Sequence, residues 1–430
     1  MTADLSAPEQ ARAAGVNPLD YLQARGFVQD ISDQSGLAAV FARGPVTAYI
    51  GFDPSAPSLH VGNLLGIMLL ATLQRFGHRP IALGGGGTAL VGDPTGKTSA
   101  RALISPEEID TNLAGVLPQF DRYLDFAGDR FRDNPAALLI NNATWLLDLH
   151  YIPFLRDIGR HFSVNEMLTA ETYRVRLAST GLNFVEFNYR IVQAYDFLHL
   201  FRTEGCVLQA GGSDQWGNIV AGVELIRRAA GGHAFALVTP LITTKSGEKM
   251  GKTAGGEQIW LDPVQTTPYE YYQYWVNTDD DAVGQFLRFY TFLPEERISA
   301  LTSVRGAALR EAKHVLAFEA TALTHGNAIA RQAAEAAQSL FAGKDADQAG
   351  AAIPTTEIVT TELADGFTLA DLFVRAGLTA SRGEARRLAK QGGLTADDQR
   401  VDDVDVPFAA TVDTIILRAG KKRFHRIVIR

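Results

Sequence analysis

Two short segments of this 430-residue chain combine residue types that suit the binding of phosphate groups. In the first, residues 59–63, His60 and Asn63 lie three positions apart where a long apolar stretch begins that is predicted to be a helix. The amino terminus of a helix has unpaired N–H groups and the positive end of the helix dipole, so both side chains can donate to one anion there. Gly62 has no side chain, so it permits close approach of a ligand to the backbone. A single His-x-Gly segment is more often a buried helix cap, so its meaning depends on the second segment.

The second segment is a loop at 243–256, about 190 residues further along, in which Lys249 and Lys252 are surrounded by glycines. Two lysines on such a backbone could close over a polyphosphate. Taken alone, a basic loop of this kind is more often a solvated surface feature. The two segments gain weight because both occur, in this order, in one chain.

A polar face on a predicted helix offers a place for an amino-acid substrate. Tyr189, Gln193 and Asp196 are spaced four and three positions apart, so they share one side of the helix predicted at 184–201. Aromatic residues flank them. A polar stripe among aromatic residues is more consistent with the lining of a pocket than with a solvent-facing surface.

Two glycine-rich patterns resemble nucleotide-binding motifs, but the residues around them do not fit those motifs. Residues 92–98 resemble a phosphate-binding P-loop, but three residues instead of four separate the glycines and no helix is predicted to follow. Gly84, Gly86 and Ala89 fit a dinucleotide pattern, yet the chain continues into Gly-Asp-Pro. We interpret these glycines as sites where a ligand approaches the backbone.

Strands and helices alternate over the first half of the chain, which predicts a parallel sheet with helices on both faces. Predicted strands are residues 46–52, 79–83, 136–140 and 206–209. Predicted helices include residues 59–76, 106–126, 184–201 and 214–230. Such sheets bind ligands at the carboxyl ends of their strands, where this sequence has glycine and polar residues. Residues 267–340 are predicted to be helical.

Charge is distributed unevenly. The net charge is −8, but residues 366–430 contain 12 Lys/Arg and 8 Asp/Glu, whereas the rest of the chain contains 28 basic and 40 acidic residues. A basic tail on an acidic body predicts local contact with a polyanion. The candidate contacts form two clusters, Arg382, Arg386, Arg387 and Lys390 on a helix, then Lys421 and Lys422. A solvated helix is the alternative explanation of the first cluster.

Composition excludes several classes of protein. The single cysteine, Cys206, excludes an internal disulfide and a cysteine-rich zinc module, and it fits a reducing cytoplasm. No pair of histidines has ligand spacing, so we expect no protein-bound metal. The longest apolar stretch, residues 64–73, is too short to span a membrane, and the polar start resembles no secretory signal.

Four further motifs accompany the two phosphate-binding segments, which we call the first and second signatures. The whole set, in this order, resembles bacterial tyrosyl-tRNA synthetases, a family of class I aminoacyl-tRNA synthetases. The motifs are residues 49–54 (YIGFDP), 92–94 (GDP), 188–197 (NYRIVQAYDF) and 211–218 (GGSDQWGN). Residues 381–388, with Gly392 and Gly393 after them, resemble the S4-type RNA-binding domain that ends these enzymes. Two positions depart from the common pattern, Asn63 for histidine and Gly251 for serine.

The resemblance implies a Rossmann-like doubly wound parallel sheet, an all-α domain and a small α+β S4-type domain. The expected boundaries are a catalytic domain at 1–242, a mobile loop of the KMSKS type at 243–256, a helical domain at 257–342, a linker at 343–365 and the S4-type domain at 366–430. Residues 343–365 are predicted to be a linker because they are rich in Ala, Thr and Asp and show little periodicity.

The resemblance also assigns residues to three substrates. It implies that Tyr49 and Asp196 bind the phenolic hydroxyl of tyrosine, that Tyr189, Gln193 and Asp93 bind its ammonium group, and that Gln215 lies near its carboxylate. It implies that Gly51, Asp53, Gly62, Gly212 and Asp214 contact ATP. The residues expected to neutralise charge on the phosphates are His60, Asn63, Lys97, Arg101, Lys249 and Lys252.

The implied reaction has two steps, formation of tyrosyl-adenylate from L-tyrosine and ATP, then transfer of the tyrosyl group to tRNA(Tyr). Mg²⁺ would accompany ATP rather than occupy a protein cage, and no organic cofactor is expected. The resemblance further implies a homodimer. A nucleotidyltransferase of another class, a non-catalytic RNA-binding relative and a tryptophan-specific enzyme remain alternatives. Tyrosine-dependent pyrophosphate exchange and ATP binding would separate them.

Overall fold

The computed structural model forms two compact units, Met1–Asp262 with Thr278–Ala312 (the first unit) and Pro263–Asn277 with Lys313–Arg430 (the second unit). The predicted helical domain at 257–342 is therefore divided between the two units. The structure describes residues 5–95, 104–131, 134–169, 171–178, 181–243, 250–251, 258–341, 355–360, 363, 366–408, 413–420 and 423–430.

The sheet of the first unit contains the predicted strands and two short strands that the sequence did not indicate. Its strands are β1 (Asp30–Ile31), β2 (Thr47–Phe52), β3 (Arg79–Gly84), β4 (Leu138–Asn141), β5 (Cys206–Gly212) and β6 (Phe235–Thr239). In the described residues the order is β1-β6-β5-β2-β3-β4, and every neighbouring pair is parallel except β1 with β6. Strands β3 and β4 extend the sheet on one side of β2, and β5 and β6 extend it on the other side. The strand order therefore reverses between β2 and β5. Ligands bind at such a switch point in doubly wound sheets, and the predicted fold class is confirmed.

Helices connect these strands and continue into the second unit. The first eleven are α1 (Ala7–Ala13), α2 (Pro18–Ala24), α3 (Gln34–Arg43), α4 (Val61–Arg75), α5 (Pro106–Val116), α6 (Ala143–Leu146), α7 (Tyr151–Asp157), α8 (Val164–Leu168), α9 (Glu171–Ala178), α10 (Phe184–Glu204) and α11 (Trp216–Ala230). The others are α12 (Pro268–Val276), α13 (Val283–Tyr290), α14 (Glu295–Thr302), α15 (Arg310–His325), α16 (Asn327–Phe341), α17 (Leu369–Arg375) and α18 (Arg382–Lys390). No helix in the described ranges is long and apolar enough to cross a membrane.

Local sequence signals explain where the two helices that carry site residues begin and end. Helix α4 is mostly buried and starts after His60, the residue at its N-cap. Helix α10 starts with a capping box, in which the side chains of Asn183 and Glu186 each accept from the other's backbone N–H, and ends at Gly205 with φ 61°. These caps fix the register in which each helix presents its polar residues to the sheet.

One predicted helix is shorter than expected. The sequence predicts a helix over 106–126, but α5 ends at Val116 and the chain continues as a 3₁₀ turn, Leu117–Arg122. Pro118 lies near the start of this turn. Because proline has no N–H group and restricts the residue before it, it favours an end to the α-helix at this point.

The second unit contains helices α12 and α16, most of α15, and a second sheet. The strands of that sheet are β7 (Thr355–Ile358), β8 (Leu394–Ala396), β9 (Gln399–Arg400), β10 (Thr414–Ala419) and β11 (Arg423–Ile429). In the described residues their order is β7-β11-β10-β8-β9, antiparallel except for β7 beside β11. Strand β7 lies within the stretch predicted to be a linker, so residues 355–358 belong structurally to the carboxyl-terminal sheet.

Candidate active site

The carboxyl ends of β2, β3 and β4 bring together a continuous chain of hydrogen bonds. Tyr189 Oη on α10 donates to Asp53 Oδ2 at 3.0 Å, and Thr88 Oγ1 donates to Asp53 Oδ1 at 2.7 Å. Asn142 Nδ2, just after β4, donates to Thr88 Oγ1 at 3.1 Å and to Asp196 Oδ2 at 2.9 Å. The structure therefore connects Asp53, Tyr189 and Asp196, which the sequence assigned to two different substrates.

Asp196 is a buried carboxyl group that accepts hydrogen bonds from two neutral donors. Besides Asn142, Trp145 Nε1 donates to Asp196 Oδ1 at 2.8 Å. Burial raises the pKa of Asp196 to about 8, although the hydrogen bonds from Asn142 and Trp145 oppose the rise. No cation neutralises it among the described residues. Both oxygens keep lone pairs that can accept one further hydrogen bond.

Two buried polar atoms of the residues assigned to tyrosine binding lack hydrogen-bond partners in the described part of the chain. They are Tyr49 Oη and Gln193 Oε1. Burial, and then the charge of Asp196, hold the pKa of Tyr49 well above its ordinary value, so its hydroxyl remains a donor. An unpaired buried polar group costs about 1–3 kcal/mol, so its presence points to a ligand that supplies the missing bond.

A second polar network lies at the carboxyl end of β5. Gln215 Nε2 donates to Asp93 Oδ2 at 2.7 Å, and Asn218 Nδ2 donates to Gln215 Oε1 at 3.2 Å. Burial, followed by the nearby Asp53 and Asp93, raises the pKa of Tyr189 well above its ordinary value. Asp93, Gln215 and the helix face of Tyr189 therefore form one acidic polar wall, which could hold a cationic group such as an ammonium.

The glycines predicted to contact a nucleotide lie at the switch point of the sheet. Gly51 precedes the last residue of β2, and a Cβ atom there would contact nothing within 4 Å. Gly212 ends β5, and a Cβ atom there would lie 2.7 Å from Asp214 Oδ1. Asp214 belongs to the 3₁₀ turn Ser213–Gln215. Because β2 and β5 are neighbours, these residues border one crevice.

The start of α4 combines a helix cap with a hydrogen-bond donor. His60 Nδ1 accepts from Gly62 N at 2.9 Å, and Asn63 Oδ1 accepts from His60 N at 3.0 Å. Burial lowers the pKa of His60 to about 4, so the ring is neutral near pH 7 and its proton resides on Nε2. His60 Nε2 and Asn63 Nδ2 remain as donors. The cap and anion-binding interpretations of these residues are thus compatible.

The centre of the second signature lies directly against this helix start. Met250 N donates to Ile242 O at 2.8 Å, and Gly251 O accepts from Ile259 N at 2.8 Å. Gly251 has φ 127°, and a Cβ atom there would lie 3.4 Å from Gly62 N. Glycine in place of serine is therefore explained by the backbone conformation at this position, which side chains rarely adopt. Lys249 and Lys252, like Lys97 and Arg101, lie outside the described residues.

The basic helix α18 of the second unit is largely paired with carboxylates. Arg382 contacts Asp371, Arg386 Nη2 lies 2.8 Å from Asp405 Oδ1, and Arg387 Nη2 lies 3.7 Å from Glu384 Oε1. Lys390 has no such partner within the part of the chain that the structure describes. Lys421 and Lys422 lie outside that part. The predicted excess of positive charge on α18 is therefore partly neutralised.

Sequence reasoning did not select three residues of the first network: Thr88, Asn142 and Trp145. A tryptophan one helical turn after the end of β4 was the available signal for Trp145, because a buried indole N–H needs an acceptor. Among the described residues, no three His, Cys, Asp or Glu side chains form a metal-binding group.

Comparison with known proteins agrees with this geometry. Residues 42–342 match the family model "tRNA synthetases class I (W and Y)", and residues 345–427 match "Tyrosine--tRNA ligase SYY-like C-terminal domain". The tyrosine–tRNA ligase of Desulfosudis oleivorans is 51% identical over 434 residues, covering 96% of this chain and 99% of that protein. The tyrosine–tRNA ligase of Clostridium tetani is 45% identical over 421 residues, covering 96% and 100%.

A solved structure is also similar. The C-terminally truncated mitochondrial tyrosyl-tRNA synthetase of Aspergillus nidulans has a TM-score of 0.69 and 31% identity, covering 77% of this chain and 97% of that chain. The tyrosyl-tRNA synthetase of Archaeoglobus fulgidus, at 18% identity and a TM-score of 0.53, shares the fold over 74% and 99%. The chain therefore belongs to the tyrosine–tRNA ligase family of the class I tRNA synthetases, which is the family that its motifs predict.

Proposed function

We propose that this enzyme attaches L-tyrosine to tRNA(Tyr) in two steps through tyrosyl-adenylate, consuming ATP and releasing AMP and pyrophosphate. The observation that carries the proposal is the unpaired hydroxyl of Tyr49, buried near the Asp196 carboxyl group, which two neutral donors hold in place. A phenol entering this space donates to Asp196 and accepts from Tyr49. Phenylalanine would leave both groups unpaired. A site built to hydrogen-bond a hydroxyl rejects a substrate that lacks it, and tyrosine-specific synthetases are the standard example.

The ammonium group of the substrate faces the acidic wall. Asp93 and Asp53 supply negative charge, and Tyr189 and Gln193 supply oxygen acceptors. Gln215, which is hydrogen-bonded to Asp93, remains predicted to lie near the carboxylate of the bound amino acid. This arrangement orients tyrosine with its phenol inside the unit and its carboxylate toward the crevice between β2 and β5.

ATP occupies that crevice with its phosphates at the start of α4. His60 Nε2, Asn63 Nδ2 and the N–H groups of the first helical turn donate to the phosphates. Gly51, Asp53, Gly62, Gly212 and Asp214 remain predicted to border the nucleotide. Lys97, Arg101, Lys249 and Lys252 remain predicted to neutralise phosphate charge, and Mg²⁺ enters with ATP as part of the substrate.

The chemistry needs positioning more than acid–base catalysis. The tyrosine carboxylate is already a nucleophile near pH 7, and it attacks the α-phosphorus of ATP while the bond to the β-phosphate oxygen breaks. A neutral His60 can stabilise the developing negative charge by donating a hydrogen bond. The 2′- or 3′-hydroxyl of tRNA then attacks the tyrosyl carbonyl, and AMP leaves. Holding the reacting atoms in line supplies much of the rate enhancement.

The second unit contributes tRNA contacts. The match of residues 345–427 to the ligase carboxyl-terminal domain and the basic helix α18 support this role. Because most arginines of α18 already pair with carboxylates, the phosphate contacts form by exchange of partners. Arg382, Arg386, Arg387 and Lys390, together with Lys421 and Lys422, remain the candidates for contact with tRNA.

A homodimer is supported by exposed apolar side chains in the first unit. Leu147, Ile152 and Phe184 are 65%, 69% and 66% exposed, and further large apolar residues between 151 and 185 are also exposed. We expect Ile152→Asp with Phe184→Asp to give monomers in sedimentation velocity, whereas Val16→Asp leaves the dimer intact. A wild-type monomer would contradict this part of the proposal. The enzyme acts in the cytoplasm, where ATP and tRNA are available.

Tyrosine-dependent exchange of labelled pyrophosphate into ATP tests the activity, with phenylalanine as the control amino acid. We expect exchange with tyrosine, little with phenylalanine and none without an amino acid. Transfer of tyrosine to a tRNA(Tyr) transcript tests the second step. Exchange that proceeds without any amino acid would indicate another nucleotidyltransferase, and absence of ATP binding would indicate a non-catalytic RNA-binding protein.

A further inference from the structure

The indole of Trp145 is held at two points on one side of α10. Its Nε1 donates to Asp196 Oδ1 at 2.8 Å, and its ring stacks on His199 with centroids 4.2 Å apart and planes 16° from parallel. His199 follows Asp196 by three positions, so both side chains emerge on the same face of the helix. The indole therefore spans one turn of α10, from the carboxylate to the imidazole.

We propose that His199 is a positioning residue that, by stacking on Trp145, fixes the orientation of Asp196 and thereby sharpens the preference for tyrosine over phenylalanine. This inference rests on the proposed function, because it assigns the phenol to Asp196. His199 itself does not touch the substrate in this account. Its effect passes through a single aromatic contact and a single hydrogen bond.

The two oxygens of Asp196 differ in how firmly their donors are fixed. The donor to Oδ2, Asn142, is itself fixed, because its Oδ1 accepts from Gly87 N at 2.7 Å and its Nδ2 also donates to Thr88. The donor to Oδ1, Trp145, has only one N–H group and lies on α6, a helix of four residues. Trp145 also packs in the hydrophobic core, and the stack with His199 is the aromatic contact that aligns the plane of its indole beside Oδ1.

His199 is itself supported from behind by aromatic rings. Tyr195 lies 6.4 Å away between centroids, and Phe154 packs edge-on against Tyr195 at 5.6 Å. Burial lowers the pKa of His199, so near pH 7 its ring is a flat, neutral aromatic group. A phenyl ring at this position should consequently preserve the stack, whereas alanine should abolish it. This difference separates a positioning role from acid–base chemistry by the imidazole.

The kinetic test compares His199→Ala and His199→Phe with the wild type in pyrophosphate exchange. From the usual strength of aromatic pairs, we expect His199→Ala to lower the ratio of kcat/KM for tyrosine to that for phenylalanine by roughly three- to tenfold. The loss should appear mainly in KM for tyrosine, with KM for ATP unchanged. His199→Phe should stay within about twofold of the wild type, since it keeps a stacked pair.

The matched control is His233→Ala, which removes an exposed imidazole whose ring contact is with Phe235. It should leave the ratio unchanged. An unchanged ratio in His199→Ala, equal losses with both amino acids, or failure of His199→Phe to restore the ratio would each overturn the proposal.

A second measurement does not depend on catalysis. In protein labelled with ¹⁵N-tryptophan, the Nε1–H resonance of Trp145 can be assigned with Trp145→Phe, and its exchange with solvent measured. We expect faster exchange in His199→Ala but not in His199→Phe. Unchanged exchange in His199→Ala would overturn the inference, whereas absence of tyrosine activation by the wild type would count against the proposed function alone.

Discussion

The two units of this protein hold charge in opposite ways. In the first unit, the carboxyl group of Asp196 is fully buried and accepts from two neutral donors, Asn142 and Trp145, and no cation of the described residues pairs with it. In the second unit, Arg386 meets Asp405 in an exposed ion pair. The buried carboxyl group is costly to leave unpaired, so it can discriminate between two amino acids. The exposed pair is weak and exchangeable, so it can release an arginine to another anion.

Removing the carboxyl-terminal domain should separate tyrosine activation from tRNA charging, and it is the change with the largest expected effect. Because β7 pairs with β11, the cut belongs before residue 345 rather than at 366, where it would leave β7 without its neighbour. We expect a chain ending at residue 341 to keep tyrosine-dependent pyrophosphate exchange within about twofold and to lose at least about 100-fold in tRNA charging, as loss of several phosphate contacts implies. Parallel exchange and charging assays measure both. Full charging by the shortened chain would show that the domain is dispensable for tRNA.

Asp196→Asn should weaken discrimination more than it slows activation of saturating tyrosine. Asparagine has one acceptor oxygen, so its NH₂ group would face either Asn142 or Trp145, both of which donate. We expect the tyrosine-to-phenylalanine ratio of kcat/KM to fall by roughly 10- to 100-fold, the range for a mispaired buried group. Asp20→Asn, on the exposed side of α2, is the control. A ratio equal to that of the wild type would remove Asp196 from the hydroxyl site.

The same carboxyl should make stability depend on pH in an unusual direction. Its pKa is about 8 in the folded protein and near 3.8 in an unfolded chain, so the unfolded chain releases the proton first. The stabilising contribution is complete below about pH 4 and is lost as pH rises toward 8, by up to about 1.4 kcal/mol per pH unit. We expect the wild type to lose stability relative to Asp196→Asn between pH 5 and pH 8 in urea unfolding. A constant difference would contradict the raised pKa.

Gly251→Ala should disturb the phosphate end of the site without affecting tyrosine. The added Cβ combines an unfavourable φ of 127° with contacts 3.0 Å from Gln258 Nε2 and 3.4 Å from Gly62 N. We expect adenylate formation, measured in single turnovers, to slow about tenfold while tyrosine affinity stays unchanged, because positioning is lost at the phosphates only. Gly44→Ala, at φ 150° with no atom within 4 Å of the added Cβ, controls for backbone strain alone. Equal effects of the two substitutions would assign the loss to strain alone.

The smallest expected effect tests the exposed pair. Asp405→Asn releases Arg386 without removing positive charge, so tRNA should bind on the order of two- to threefold more tightly at low salt, and the gain should vanish at high salt. Asp398→Asn, on the neighbouring hairpin, is the control for a general change in net charge. Filter binding over a salt series measures both. Weaker binding of Asp405→Asn would mean that the pair positions Arg386 for tRNA.

The sequence could predict the features that repeat or that follow a motif. The parallel sheet, the helix face of Tyr189, Gln193 and Asp196, and the cap at His60 follow from periodicity and residue type. Strand β1 and strand β7 could not be predicted, because two to four residues show no alternation and pair only through distant partners. Propensity alone is weak evidence for such short strands.

Within the site, what the sequence could not give is which polar groups satisfy each other. Thr88 and Asn142 are short polar residues at strand ends, where many are merely solvated. Their role depends on atoms 54 residues apart in the chain meeting at hydrogen-bond distance. The sequence likewise predicts different substrate sites for Asp53 and Tyr189, because only the fold brings their side chains together.

The pairing of β7 with β11 has a consequence for how the protein is made. Ile358 aligns with Ile429, so the first strand of the carboxyl-terminal sheet meets its only neighbour in the described structure about 70 residues later. During synthesis β7 must therefore wait, unpaired, until β11 has emerged from the ribosome, whereas the strands of the first sheet are complete by Thr239. Contacts between residues this far apart in the chain close slowly, and β1 waits longer still, since Asp30 pairs with Val238. The first unit can thus acquire its core while translation continues, and the carboxyl-terminal sheet forms last.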